Sequence, residues 1–318
     1  MLLDFEKIKR GMFWSLIIGI VLFILLSIYS DIHALKNIFI RFDLRRIPLL
    51  LILPLLNYLI RYIKWCYYLK VIGVRVPTKE NVPIFLSGLA MTITPGKIGE
   101  FVKSYFIKES CQVPVSSTMP LVVVERLTDG ISMMILAGIG ALSYPHGKGV
   151  LAVCFLAAVI GIWIIQTPSL SYRILDALGS LKCLQKIRPA MDNFYENGYL
   201  LLKWKPLLFA VAIGVLSWSF EGLAFFFVCE GLGISLPLIT CIFVTSFSFI
   251  LGALSMIPGG LGVTEGSLLG LLTVMGFNKS AATAATLIMR FCTLWFGVGI
   301  GLIGLWIAYR NGKNSMCH

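Results

Sequence analysis

Residues 94–100 read TPGKIGE, a proline, two glycines and two charges set inside a stretch that is otherwise apolar. The surrounding segment, NVPIFLSGLAMTITPGKIGEFVKSYFIKE over residues 81–109, places an apolar arm on each side of this break. Proline removes a backbone donor and clashes with the preceding turn, and glycine relaxes the chain, so no continuous helix is expected through it. Each arm is about a dozen residues, too short to cross a hydrocarbon layer roughly 30 Å thick at about 1.5 Å per residue. The reading is a bent hairpin that dips into a membrane and returns to its own side. Irregular backbone at that depth is tolerated only against protein or a wet cavity, because lipid cannot satisfy exposed amides and carbonyls.

The rest of the chain agrees with a membrane setting. Of 318 residues, 58% are hydrophobic and 13% charged, and the mean hydropathy is +0.89; a soluble domain is about one quarter charged. Apolar runs near Met12–Tyr29, Ile47–Leu69, Thr118–Ser143, Gly149–Gln166, Pro206–Glu230 and Ala281–Tyr309 are each long enough to span as helices. The expected fold is an all-α polytopic integral membrane protein with about six transmembrane helices. The first run is too long for a signal-peptide core and lacks a following cleavage pattern, so it is expected to stay attached. Eight cysteines lie scattered without a C-x-x-C pair, which argues against a metal site or a disulfide framework.

The net charge of +12 follows topology and is not pooled in one arm, so nucleic acid is not an expected partner. Lys7, Lys9 and Arg10 precede the first run, Lys70, Arg75 and Lys79 follow the second, and Arg173, Lys182, Lys186, Arg188, Lys203 and Lys205 fill the longest loop. Arg310 and Lys313 close the chain. Positive-inside bias places these segments, with both termini, on the cytoplasmic face of the cell (inner) membrane. Lys36, Arg41, Arg45 and Arg46 depart from that pattern. Residues 169–205 read as an amphipathic interfacial connector.

A second broken region spans residues 236–277 and contains PGGLGVTEG. Its arms are longer, and it either dips in and returns or crosses twice. Behind the first break lies VVVERLTDG, with Arg126, and behind the second TLIMRFCTLW, with Arg290. The spacing from Pro95 to Arg126 and from Pro258 to Arg290 is nearly equal, which suggests a repeat of hairpin plus arginine-bearing helix over 81–143 and 236–309 within one membrane domain, 1–318. Counting crossings with both hairpins re-entrant opens the first from the cytoplasm and the second from outside. Inverted repeats whose broken helices meet near the midplane are a recurring way to build a substrate site.

Thr94 is expected to cap a helix starting at Pro95, which with Gly96, Lys97 and Gly99 would offer amides and positive charge to a phosphate or carboxylate. Glu100 would pair with Lys97 or receive a cationic head group; the plainer alternative is a capped bend whose charges reach the interface. In the second break Pro258, Gly259, Gly260 and Gly262 surround Glu265, with Thr264 as a helix cap. Close helix packing through small residues competes with a binding role there. Charges within spans are costly and tend to face the bundle interior, which singles out Arg61, Glu125, Arg126, Asp129, Glu221 and Arg290. Glu125 and Asp129 share a helix face, Arg126 points away from them, and Arg61 is expected to snorkel. For Arg126 and Arg290, structural pairing and ligand contact stand level.

Together, TPGKIGE, VVVERLTDG and PGGLGVTEG resemble the flippase-like membrane family that includes the transmembrane part of lysylphosphatidylglycerol synthase. The resemblance covers nearly the whole chain in order and spacing, and reaches Pro95, Gly96, Gly99, Glu100, Glu125, Arg126, Pro258, Gly259, Gly260, Gly262 and Glu265. It implies translocation or binding of a lipid, which the charged breaks lead us to expect is phosphate-bearing; the cytosolic domain that aminoacylates lipid in some members is not expected here. No hydrolase or metallopeptidase motif occurs, so the expectation is a transporter with no cofactor or metal, not an enzyme. The alternative is a membrane subunit presenting lipid to a separate transferase. A lipid substrate, such a transferase and a second copy of the chain are the partners this reading admits.

Overall fold

The computed structural model describes residues 42–141, 148–179 and 185–315, with isolated helical positions at 17, 19, 21, 25, 35, 36, 38 and 40. Apart from those positions, the expected first span, Met12–Tyr29, lies outside the described residues, as do Lys7, Lys9, Arg10, Arg41 and Lys182. Among the described residues every regular element is helical: α1 (Ile47–Val71), α2 (Thr78–Ala90), α3 (Val102–Cys111), α4 (Val115–Ala141), α5 (Lys148–Gln166) and α6 (Pro168–Gly179). They are followed by α7 (Arg188–Leu201), α8 (Trp204–Gly231), α9 (Leu238–Leu254), α10 (Val263–Val274), α11 (Lys279–Arg290) and α12 (Phe296–Ser315). The chain is an all-α membrane protein.

Among the described residues, four helical stretches, Leu44–Val71, Gly149–Gln166, Trp204–Gly231 and Lys279–Asn311, are long and apolar enough to cross a bilayer. α4 is as long, at 27 residues, but interrupts its apolar run with Glu125, Arg126 and Asp129. α5 is hardly buried: Val153, Phe155, Leu156 and Trp163 face outward, which in lipid is the favourable side for them. The sixth run is a single stack with a fault in it, because Phe291–Trp295 form a π turn between α11 and α12. Such turns free a carbonyl, and here Tyr58 of α1 donates to Thr293 O at 2.8 Å.

The two broken regions follow the same backbone course. α1 and α8 each end on a glycine in the left-handed region, Gly73 (φ +75°) and Gly233 (φ +70°). The turn is closed in both by a six-to-one amide bond of the Schellman type, Val74 N to Leu69 O at 3.0 Å and Ile234 N to Cys229 O at 2.8 Å. Pro77 and Pro237 then stand at the N-caps of α2 and α9, where a missing N–H is harmless. At the breaks, Gly96 and Lys97 (φ +56° and +57°) match Gly259 and Gly260 (φ +61° and +64°). Lys97 N donates to Thr94 O, and Gly260 N to Ile257 O, each at 2.9 Å.

The halves also exchange arms. α2 packs along α12, α9 packs along α4, and α1 packs on α8. Small residues set the approach: a Cβ on Gly301 would collide with the Ala90 backbone, and one on Gly140 would collide with Phe243. In lipid, where apolar contact alone gives little drive for helices to associate, close van der Waals packing of this kind holds them together. One core joins α1, α4, α8, α9, α10 and α11 around Phe225, Phe243 and Leu268, and a second joins α1–α4 with α7, α8 and α12 around Trp65, Tyr68 and Ile107. The connector docks through α7 on α4, and Arg188 ties its turns by pairing with Asp176 at 2.7 Å and Asp192 at 3.1 Å.

Candidate functional site

The two breaks meet. Gly96 N of the first donates to Met256 O of the second at 3.0 Å, and Ile93, Leu261, Leu294 and Val298 form a small apolar cluster beside the junction. The first break is not the helix start expected of it. The α-helical arm begins at Val102, because positive φ at Gly96 and Lys97 breaks the segment that Thr94 precedes. Thr94 Oγ1 instead donates to Met91 O at 2.7 Å and accepts from Gly99 N at 2.9 Å. The amides of Gly96, Lys97 and Gly99 are thereby engaged, and the cap does not offer them to an anion.

Beneath the first break lies a dense charge cluster. Glu125 is fully buried and accepts Lys103 Nζ at 2.6 Å, Arg126 Nη2 at 2.9 Å and Arg61 Nη2 at 3.1 Å. Asp129 pairs with Lys64 and lies 3.2 Å from Arg126 and 3.6 Å from Arg61. Glu100 pairs with Arg126 Nε at 3.3 Å, not with Lys97, and Lys103 stands 4.0 Å away. Trp65 adds a ring face 4.5 Å from Lys103 Nζ. Three carboxylates thus share four cations, Arg61, Lys64, Lys103 and Arg126, in a region where an unpaired charge is expensive.

Three expectations are corrected by this cluster. Arg61 does not snorkel: it is 7% exposed and turns inward because two acids of α4 and the Trp218 ring, 5.6 Å away, receive it. Arg126 does not point away from Glu125 and Asp129; its long side chain folds back over both. Lys97 has no ion pair among the described residues. Lys64 reads in the sequence only as a neighbour of Arg61 near the end of its span, and Lys103 is not singled out at all, because FVKSYF reads simply as the second arm of the hairpin.

The second break is held more simply. Glu265, fully buried, accepts Arg290 Nε at 2.6 Å through one oxygen and Gly262 N at 2.7 Å through the other. Arg290 Nη2 donates to Gly259 O at 2.7 Å. Gly262, not Thr264, is therefore the residue that caps α10. Thr264 lies in the first turn, packed so tightly that a Cβ on Gly252 would collide with its hydroxyl and one on Gly260 would come within 2.7 Å of it.

Between these two assemblies is a cavity of about 340 Å³. Four cations from four elements line it: Arg61 of α1, Lys97 of the first break, Arg126 of α4 and Arg290 of α11. Asp129 and Glu221 are its two acids, and Trp218, Phe249 and Met256 supply apolar wall. The Trp218 indole N–H is buried without a hydrogen-bond partner among the described residues. Of the residues expected at the site, Gly96, Lys97, Arg126, Asp129, Gly259, Gly260, Thr264 and Arg290 face the cavity. Thr94, Pro95, Gly99, Glu100, Glu125, Pro258, Gly262 and Glu265 do not line it; those among them with hydrogen bonds or ion pairs brace the breaks and the charge cluster. Arg61, Trp218 and Glu221 join it from helices whose own sequence gave only an isolated charge within a span. Among the described residues no group of histidine, cysteine and acidic side chains is arranged to hold a metal ion.

This chain is 25% identical to a UPF0104 membrane protein of Pyrococcus horikoshii, over 94% of this chain and 96% of that protein. It is similar to two UPF0104 membrane proteins of Methanocaldococcus jannaschii. One is 26% identical over 69% of this chain and 94% of its own length, the other 22% identical over 93% and 94%. The model of the lysylphosphatidylglycerol synthase TM region matches residues 13–301, and the chain belongs to that family.

Proposed function

We propose that the protein is a lipid flippase-like transporter whose central cavity receives a phosphate-bearing headgroup while the acyl chains stay in the bilayer. The observation that carries this reading is the convergence of Arg61, Lys97, Arg126 and Arg290 on one cavity of headgroup size in a protein whose outer faces are apolar. A guanidinium fork suits phosphate oxygens, Lys97 adds a cation with no ion pair among the described residues, and the Trp218 N–H adds a buried donor without a hydrogen-bond partner among them. The matching hairpins support an inverted repeat in which each re-enters from its own side and the breaks meet near the midplane. In such an arrangement, rocking of one half against the other opens the cavity to each leaflet in turn. A plasma-membrane location with cytoplasmic termini follows from the placement of basic loops.

Reconstitution into liposomes with leaflet-selective quenching of labelled lipids tests the proposal across anionic, zwitterionic and polyprenyl probes. Faster flipping of at least one phosphate-bearing probe than in protein-free vesicles is expected. Unchanged rates for the whole panel would overturn it and favour a subunit that presents lipid to a separate transferase.

A further inference from the structure

Each buried carboxylate described so far has a cation: Glu100 and Glu125 have Arg126, Asp129 has Lys64, and Glu265 has Arg290. Glu221 differs. It lies well inside α8, is 4% exposed and lines the cavity, yet it joins no ion pair among the described residues, and its Oε2 is buried without a hydrogen-bond partner there. The charged and titratable groups around it come from three helices and the first break. α1 contributes Arg61 and Tyr58, α4 contributes Arg126 and Asp129, the first break contributes Lys97, and α11 with its π turn contributes Arg290 and Cys292. α9 lines that space with Phe249, Gly252 and Ala253, none of them titratable.

The two cations that act on Glu221 most directly, Arg61 and Arg290, are already committed, and Lys97, though it lines the same cavity, forms no ion pair with it. Arg61 is bound to Glu125 and Asp129, Arg290 to Glu265 and the Gly259 carbonyl, and the Tyr58 hydroxyl donates to Thr293 O. A lone carboxylate within a span is costly unless something neutralises it, and no side chain in reach does so. Building a second acid into a cavity otherwise suited to anions is unfavourable for anion binding as well, because the acid repels the headgroup. Both penalties vanish when a small cation occupies the carboxylate.

We infer that Glu221 is a coupling-ion site, where a monovalent cation, H⁺ or Na⁺, binds together with the anionic headgroup and crosses with it. This rests on the transporter reading above. Neutralising Glu221 removes one negative charge from a lining that holds four cations and two acids. Cation and headgroup therefore favour each other's binding, and linkage makes the effect reciprocal. The sign fixes the direction: lipid moves the same way as the cation. No bond is broken; the carboxylate takes up the ion on one side and releases it on the other.

The test uses the full chain in proteoliposomes carrying each of the anionic, zwitterionic and polyprenyl probes in turn, with an inward gradient of protons or, separately, of sodium. One of the two gradients is expected to speed inward flipping of a phosphate-bearing probe by roughly fivefold or more, and reversing it to speed outward flipping. E221Q should flip at one rate with and without the gradient, while E221D keeps a response. A wild-type protein that flips lipid but ignores both gradients overturns the coupling and leaves the transporter reading intact; flipping of no probe overturns both. An E221Q protein that still follows the gradient also overturns it, and if E221Q does not fold, the wild-type and E221D responses decide. Gradient-independent flipping with a zwitterionic probe preferred by wild type and lost in E221Q would assign Glu221 to a headgroup ammonium instead.

Discussion

At the first break Lys97 occupies the left-handed position, φ +57°, that Gly260 occupies at the second, φ +64°. The backbone course is shared, but the chemistry around it is not. The first break overlies seven interlocked charges from α1, α3, α4 and the break itself, whereas the second rests on one pair, Glu265 with Arg290, and on glycines that bring Gly252, Gly260 and Thr264 into contact. Two bends of the same backbone course have thus divided the work. The first concentrates charge and fixes it by mutual pairing, and the second brings backbone close enough to close the cavity from the other side.

Removing Glu125 should damage the first half most. Glu125→Ala leaves Arg61, Lys103 and Arg126 without their shared carboxylate, and breaking a buried pair from one side costs about 3–5 kcal/mol. The expected outcome is a large fall in the detergent melting temperature and in folded yield. Unchanged melting would mean that water reaches the cluster and the half is held by packing alone. At the second break Arg290→Lys keeps the charge but cannot serve Glu265 and the Gly259 carbonyl together, so a loss of roughly 1.5–3 kcal/mol is expected, about one charged hydrogen bond. A loss as large as that of Glu125→Ala would erase the distinction between the halves.

Backbone alone is tested by Gly262→Ala. Open space surrounds this glycine, so no clash opposes the methyl group, but its φ of +85° does. A penalty of about 1–2 kcal/mol is expected from conformation, read as a modest drop in melting temperature. No drop would show that the second break shifts readily to a conformation other residues adopt.

Much of this was legible in the sequence, and unevenly. Pro95, Gly96, Pro258 and Gly259 announce the breaks through local chemistry, and the structure breaks its helices at both places, with positive φ at Gly96 and Gly259, because backbone preference acts over a few residues. What failed was pairing. Arg61 reads as a snorkelling side chain and Lys103 as part of the second arm of the hairpin, since nothing in their neighbourhood along the chain reveals that Glu125, 64 and 22 residues away, will sit opposite. Thr94 and Thr264 were assigned as caps by residue type, but left-handed residues at Gly96, Lys97 and Gly262 moved the helix starts. Glu221 carried no motif, and its significance lies in the absence of a partner, which only the packed helices reveal.

The smallest stability change separates the halves most sharply. A lysine in the left-handed region carries a conformational penalty of about 1–2 kcal/mol, and a residue held there usually does so for a reason outside folding. Lys97 forms no ion pair among the described residues and faces the cavity, so its side chain contributes little to the fold. Lys97→Gly converts the first break into a copy of the second. Glycine relieves the strain and adds unfolded-state entropy of about 0.4–1 kcal/mol in the opposite sense, leaving the melting temperature level or slightly raised. Flipping of anionic lipid should fall nonetheless, because one of the four cations lining the cavity is gone. A variant as active as wild type would place the headgroup contacts on the arginines alone and make Lys97 a residue that the bend merely tolerates.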